Sequence, residues 1–204
     1  MIGQVSTTGV QDSEVGAATM PRRRLSTQRA RTVERLTDAA VDELSASGYS
    51  GLTVRAVAAR SGVAPATAYN YFSSKEHLIA EVFWRRINRE GDASGAVGSA
   101  AQRATEVLAE FALVVSNETE LAAACTQALL ADNPEVHELR VKIGRLLHSR
   151  LVAALGEAAG EGTVRTLEFV VSGALIEVGT GHLPYDELRD RLAQSASVIL
   201  GDRR

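Results

Sequence analysis

Apolar residues recur at helical spacing along almost the whole chain, and nowhere do they alternate for long enough to make a strand. A first stripe, Val33, Leu36, Ala40, Val41 and Leu44, lies on one face of a helix predicted from about Thr27 to Ser47 and ended by Gly48. A short second helix follows. Thr53 can cap it through its hydroxyl, Val54, Val57 and Ala58 fall at i, i+3, i+4, and Gly62 stands where a left-handed residue ends a helix. Pro65 opens a third helix at the position where its missing N–H costs least. Ser73-Ser74-Lys75-Glu76 reads as a capping box, Ser73 with Glu76. It precedes a fourth helix, about Lys75 to Arg89, that would bury Leu78, Ile79, Val82, Phe83 and Ile87.

The turn-rich stretch Gly91 to Gly98 breaks this pattern and marks a domain boundary. Beyond it, helices are expected near 99–116, 118–131, 134–158, 163–180 and 184–200. Asn133-Pro134 starts one of them as an N-cap followed by proline at N1, and Pro184 is read the same way. Gly156 to Gly162 is the longest internal loop. The expected fold class is all-α, about nine helices: a disordered tail over 1–20, a first domain over 21–90 and a helical bundle over 91–204. Met20 directly precedes a basic run, so translation from Met20 is an alternative to Met1.

Residues 53–72 have the form of a helix-turn-helix, which presents its second helix to the major groove of DNA. The formal charge of −3 looks wrong for a DNA binder until it is divided along the chain. Residues 21–90 carry 12 Lys+Arg against 7 Asp+Glu, a net of +5, whereas residues 91–204 carry 10 against 16, a net of −6. The basic charge thus sits on the segment that holds the motif, as a phosphate-binding face requires. A single cysteine, Cys125, excludes a disulfide framework within one chain and fits a reducing cytoplasm. No signal peptide and no run of apolar residues long enough to span a membrane is present.

Thr53 to Phe72, followed by Ser74-Lys75 and an apolar helix, resembles the DNA-binding domain of the TetR family of bacterial transcriptional regulators. Ala58, Gly62, Val63, Tyr69, Tyr71, Phe72, Lys75 and Leu78 carry the likeness, which covers roughly residues 27–90. Ala68 departs from it, standing where the family usually has a larger aliphatic residue. The resemblance implies a dimeric regulator, more commonly a repressor, whose C-terminal helices form the dimer interface and a ligand pocket. It also implies phosphate contacts from the hydroxyls of Tyr69 and Tyr71 and from the Lys75 ammonium.

The residues themselves suggest further DNA contacts. Arg22, Arg23 and Arg24 form a flexible basic arm before the first helix, either entering a minor groove or pairing with phosphates, or else a solvated charge run. Thr53 and Arg55 could reach phosphate at the start of the second helix, Arg55 pointing away from the apolar face. On the third helix the residues off the core face are Pro65, Ala66, Thr67, Asn70 and Tyr71. Asn70 could pair with adenine, and Thr67 or Ala66 could touch a thymine methyl. This base-reading inventory is thin, so affinity should be phosphate-dominated and salt-dependent.

One short recognition helix reads too few base pairs for a regulator, so a homodimer on a palindromic double-stranded operator is expected. The helix near 163–180 is apolar almost all round, which would cover one face with its own domain and the other with a partner. Ser172, Gly173 and Ile176, with Leu188, Leu192, Ser195 and Ile199 of the last helix, are the candidate interface; an ordinary buried core helix is the alternative. Phe111, Val114, Leu121, Cys125, Leu129, Leu147, Leu151 and Phe169 are candidates to line a pocket for a small lipophilic effector, and an ordinary filled core fits them equally well. Cys125 reads as a buried small hydrophobe, with no cation within a helical turn to lower its pKa.

Four scattered histidines, with no metal-binding or nucleophile motif, argue against an enzyme, and no cofactor or metal is implied. The expected function is therefore a sequence-specific, cytoplasmic transcriptional regulator, a repressor released by a small lipophilic ligand. The alternative is a DNA-binding dimer without a small-molecule switch, acting as organiser, adaptor or activator.

Overall fold

The computed structural model describes residues 20–89 and 97–201, with 20–26 described by their backbone alone. Among these residues the chain forms nine α-helices: α1 Met20–Gly51, α2 Val54–Ser61, α3 Pro65–Tyr71, α4 Lys75–Arg89, α5 Ala100–Leu113, α6 Thr119–Leu129, α7 Pro134–Leu155, α8 Glu161–Gly179 and α9 Tyr185–Leu200. A single 3-10 turn, Gly156–Ala158, joins α7 to the segment before α8. Residues 1–19 of the tail expected over 1–20, and 91–96 of the boundary expected over Gly91 to Gly98, lie outside the described residues, whereas Met20 already belongs to α1.

The helix boundaries have local causes. Gly48 takes φ 65° and ψ 174°, breaking α1 where an L-residue would be strained, so one further turn redirects the chain towards α2. Asn133 accepts the Val136 N–H at 3.0 Å and Pro134 opens α7, as the sequence suggests. Two start signals fall elsewhere than expected. Ser74, not Ser73, caps α4, its hydroxyl accepting the His77 N–H at 3.1 Å, while Glu76 accepts the Tyr49 hydroxyl at 3.4 Å. A reciprocal capping box does occur at α5, between Ser99 and Gln102. Pro184 stands at the cap position of α9 with no side-chain bond, one residue before the helix begins.

Leu36, Ala40 and Leu44 of α1, Val54, Val57 and Ala58 of α2, and Ala68 and Phe72 around α3 are buried together with the apolar face of α4. The same hydrophobic cluster runs without interruption into the bundle, where α5 packs on α7 and α9, and α8 on α9. Helix α4 touches α1 as well as α6 and α7, and α1 also packs directly on α6. No helix among the described residues is long and apolar enough to cross a membrane.

Candidate nucleic-acid interface and effector cavity

Helix α2 is fixed at both ends, the second of which is the turn into α3. Thr53 is extended (φ −139°, ψ 150°) and its hydroxyl accepts the Ala56 N–H at 3.1 Å. Gly62 is left-handed (φ 64°, ψ 28°), and the Val63 N–H returns to the Ala58 carbonyl at 3.0 Å. Two arginines brace this turn against α1: Arg35 donates to the Ser61 carbonyl, and Arg60 pairs with Glu43 at 2.7 Å. Ala68 is fully buried, and with Phe72 it seats α3 on the core. Because Ala68 is so small, α3 lies close against its neighbours.

The opposite face of α3 is open. Pro65, Ala66, Thr67, Tyr69 and Asn70 are exposed, and Thr67 and Asn70 lie one turn apart. Tyr71 is half-buried against the core, while Phe72 meets His77 edge-on at 5.2 Å. Arg55 is exposed and makes no ion pair among the described residues, so its charge is uncommitted. Lys75 is held more tightly than the sequence suggests: its ammonium donates to the Tyr49 carbonyl at 2.8 Å and lies 4.3 Å from the centre of the Tyr49 ring. Neither partner is an anion, so the positive charge survives. Arg22, Arg23 and Arg24 are not an arm before the first helix, for their backbone is already the start of α1; their side chains lie outside the described residues.

His77 sits where the recognition helix hands over to α4. The Ser73 N–H donates to its Nδ1 at 3.4 Å, and burial lowers its pKa below the ordinary 6.5 against the opposing pull of Glu135, Glu81 and Glu138. Farther along α4, Trp84 packs with Ala80 against Val136 and Leu139 of α7. Arg86 forms a two-pronged pair with Glu118 ahead of α6, one of its contacts 3.0 Å long. The C-terminal turn of α4 is gripped by the buried Arg150 of α7, whose guanidinium donates to the Ile87 carbonyl at 3.0 Å and to Glu110 of α5 at 2.9 Å. That guanidinium also lies 5.3 Å from the centre of the Phe111 ring.

Phe111 is a wall of a partly open cavity of about 340 Å³ bounded by residues of α4 to α9. Phe83 supplies its α4 side, Cys125 and Leu129 its α6 side, Leu147 and Ile143 its α7 side, and Val171 and Leu175 its α8 side. Leu130 and Ile176, both substantially exposed, line it too. Of the eight residues expected to line a pocket, Phe111, Cys125, Leu129 and Leu147 do so. Val114 gives its place to Val115, Leu121 and Leu151 are packed into the solid core, and Phe169 is 62% exposed on the outer face of α8 under Arg165. Periodicity marks a residue as inward but cannot say whether the space it faces is filled. That is why Phe83, Arg140 and Tyr185, which also line the cavity, escaped the sequence reading. Burial pushes the Cys125 thiol up to about 12; Arg86 does pull the other way, but it is spent on Glu118.

The candidate interface residues also divide. Leu188 and Leu192 are completely buried within the chain, because with Ala196 they form the inner stripe of α9, which packs on α5; they offer nothing to a partner. Ser195 and Ile199 are half-buried, and the Ser195 hydroxyl is turned back on the Arg191 carbonyl. Ser172, Gly173 and Ile176 are exposed along α8, in line with Phe169, and Val198 of α9 is exposed too. Ser172 and Ile176 double as part of the cavity wall. Among the described residues no group of three or more His, Cys, Asp or Glu could hold a metal ion.

The family model for bacterial regulatory proteins of the tetR family matches residues 36–82, the stretch from the core of α1 to the middle of α4. An uncharacterised HTH-type transcriptional regulator of Mycobacterium tuberculosis is 40% identical over 198 residues, covering 96% of this chain and 92% of that protein. The HTH-type transcriptional repressor KstR of Mycolicibacterium smegmatis is 31% identical over 153 residues, covering 72% of this chain and 70% of the repressor. The crystal structure of the transcriptional regulator FadR from Bacillus subtilis in complex with stearoyl-CoA superposes with a TM-score of 0.60, covering 84% of this chain and 99% of that one at 21% identity. At that identity the likeness is one of fold.

Proposed function

Because this chain belongs to the TetR family of bacterial regulatory proteins, and is thus a DNA-binding transcriptional regulator and not an enzyme, we propose that it is a cytoplasmic homodimeric repressor. In this reading it leaves a palindromic operator when an apolar small molecule fills the bundle. The exposed face of α3 enters the major groove, Thr67 and Asn70 reading base edges. Arg55, Thr53 and Lys75 meet phosphates on either side, with Tyr69 beside them. Two copies associate through the exposed stripe Phe169, Ser172, Gly173 and Ile176 of α8, with Val198 of α9 alongside. Two half-sites one helical turn apart then require the paired recognition helices to stand about 34–36 Å apart.

The observation that carries the ligand response is Phe83. This residue belongs to α4, the helix that follows the recognition helix directly, and it is also a wall of the cavity. An occupant therefore touches the element on which the helix-turn-helix is mounted. A ligand that fits better when α4 is displaced lowers DNA affinity by that difference alone. The stearoyl-CoA in the FadR complex supports an acyl chain as the kind of molecule such a bundle holds.

The test is footprinting of DNA upstream of the chain's own gene, with and without stearoyl-CoA. A protected site with two symmetric halves, lost as ligand is added and accompanied by a change in Trp84 emission, is the expected result. Protection without symmetry would contradict the dimer, and symmetric protection indifferent to stearoyl-CoA would favour a DNA-binding dimer without an acyl switch.

A further inference from the structure

Among the described residues the cavity is apolar with one charged group, Arg140, in its wall. Thr126 and Ser172 line it, but each spends its hydroxyl hydrogen on its own helix, on the Ala122 carbonyl at 3.2 Å and the Glu168 carbonyl at 2.8 Å. Arg140 is different. Its Nη1 donates to the carbonyls of Leu129 and Ala131, at 2.8 and 2.9 Å, bracing the end of α6. Those two bonds use one nitrogen. The Nε–Nη2 edge, the edge that takes an anion in two parallel bonds, has no hydrogen-bond partner among the described residues.

No carboxylate pairs with Arg140 among the described residues, and α7 carries no acid one turn before or after it. The carbonyls at the end of α6 offset part of its charge, because a helix C-terminus is the negative end of the peptide dipoles, but they do not neutralise it. A half-buried cation beside an apolar space is stabilised by whatever anion arrives. One turn on from Arg140, the exposed Gly144 lines the same cavity and leaves open space where a side chain would stand. Tyr185 adds a phenol to the same wall.

Resting on the reading of this cavity as the effector site, we propose that it takes an anionic amphiphile. The apolar chain lies inside against Phe83, Phe111 and Leu147, and the anionic end is held by the Nε–Nη2 edge of Arg140. Arg140 is then the residue that sets which apolar molecules act. Neutral ones of the same length bind poorly, because they leave that edge without an anion.

Equilibrium dialysis of the full chain against oleate, oleoyl-CoA and oleyl alcohol tests this, since the three share a chain and differ in the head. One or both anions should bind roughly tenfold or more tightly than the alcohol, the worth of a charge-assisted hydrogen bond. Preference for oleate identifies a carboxylate as the recognised group, and preference for oleoyl-CoA alone identifies the phosphates. Arg140→Gln should erase the preference. Because Arg140 also braces α6, Gly144→Glu serves as a second variant: it leaves the brace in place and offers the guanidinium an internal carboxylate one turn away. Helix formation does not suffer, glycine being a poor helix former. Equal binding of all three ligands, or a preference surviving both variants, would overturn the anion assignment and leave the cavity an effector site. Binding of none, with native circular dichroism, would overturn both readings.

Discussion

Single residues in this chain divide into those spent on the fold and those left over for a partner. Arg35 and Arg60 are both spent on bracing the α2–α3 turn against α1. Arg55 is left over. Arg55→Ala should weaken operator and non-specific DNA alike and reduce the slope of log affinity against log salt by about 1, which titrations at several salt concentrations would measure. An unchanged slope would remove Arg55 from the phosphate contacts. His77 makes the opposite kind of statement. Its folded pKa lies below the unfolded 6.5, so the unfolded state binds the proton first as pH falls. Stability should therefore decline as pH drops below about 6.5 and level off beneath the lowered folded pKa. His77→Asn should remove that part of the decline in urea unfolding at a series of pH values. Retention of the full decline would assign it to carboxylates.

Helices were the most legible feature of the sequence, because periodicity and caps report local physics. Thr53, Gly62, Pro65 and Asn133 each act where the pattern puts them. Adjacent candidate caps were harder: of Ser73 and Ser74, only the fold decides which hydroxyl meets an amide in the first turn of α4, that of His77. What faces what across elements was not legible. Leu188 and Phe169 both sit in apolar stripes, but one is in the core and the other in solvent. The cavity itself depends on space left between six helices, which no single stripe records. The link between cavity and DNA-binding helices is equally non-local, joining Phe111 of α5, Arg150 of α7 and the Ile87 carbonyl of α4. Glu110→Ala removes the carboxylate from a buried arginine and should cost about 3 kcal/mol by denaturant unfolding. The double change Glu110→Ala with Arg150→Met should recover much of that loss. If the double variant is as unstable as the sum of its parts, the pair is not acting as a unit.

At the scale of the molecule, the continuous hydrophobic cluster from α1 to α9 makes the DNA-binding helices and the bundle one mechanical object, joined through α4 and through the packing of α1 on α6. A single copy nevertheless leaves Phe169, Ile176 and Val198 in water. Phe169→Glu should cost the folded monomer little, since the side chain is 62% exposed. It should shift sedimentation from dimer to monomer and reduce operator binding to that of one half-site. A dimer that withstands this change would move the interface elsewhere.

The account stands or falls on selective DNA binding. Fluorescence anisotropy of the chain titrated onto DNA upstream of its own gene, beside a scrambled duplex and at two salt concentrations, measures it directly. Tight binding to the native sequence alone, saturating at two or four protomers per site and weakening with salt, is the predicted result. Failure to bind either duplex at low salt would contradict the central claim.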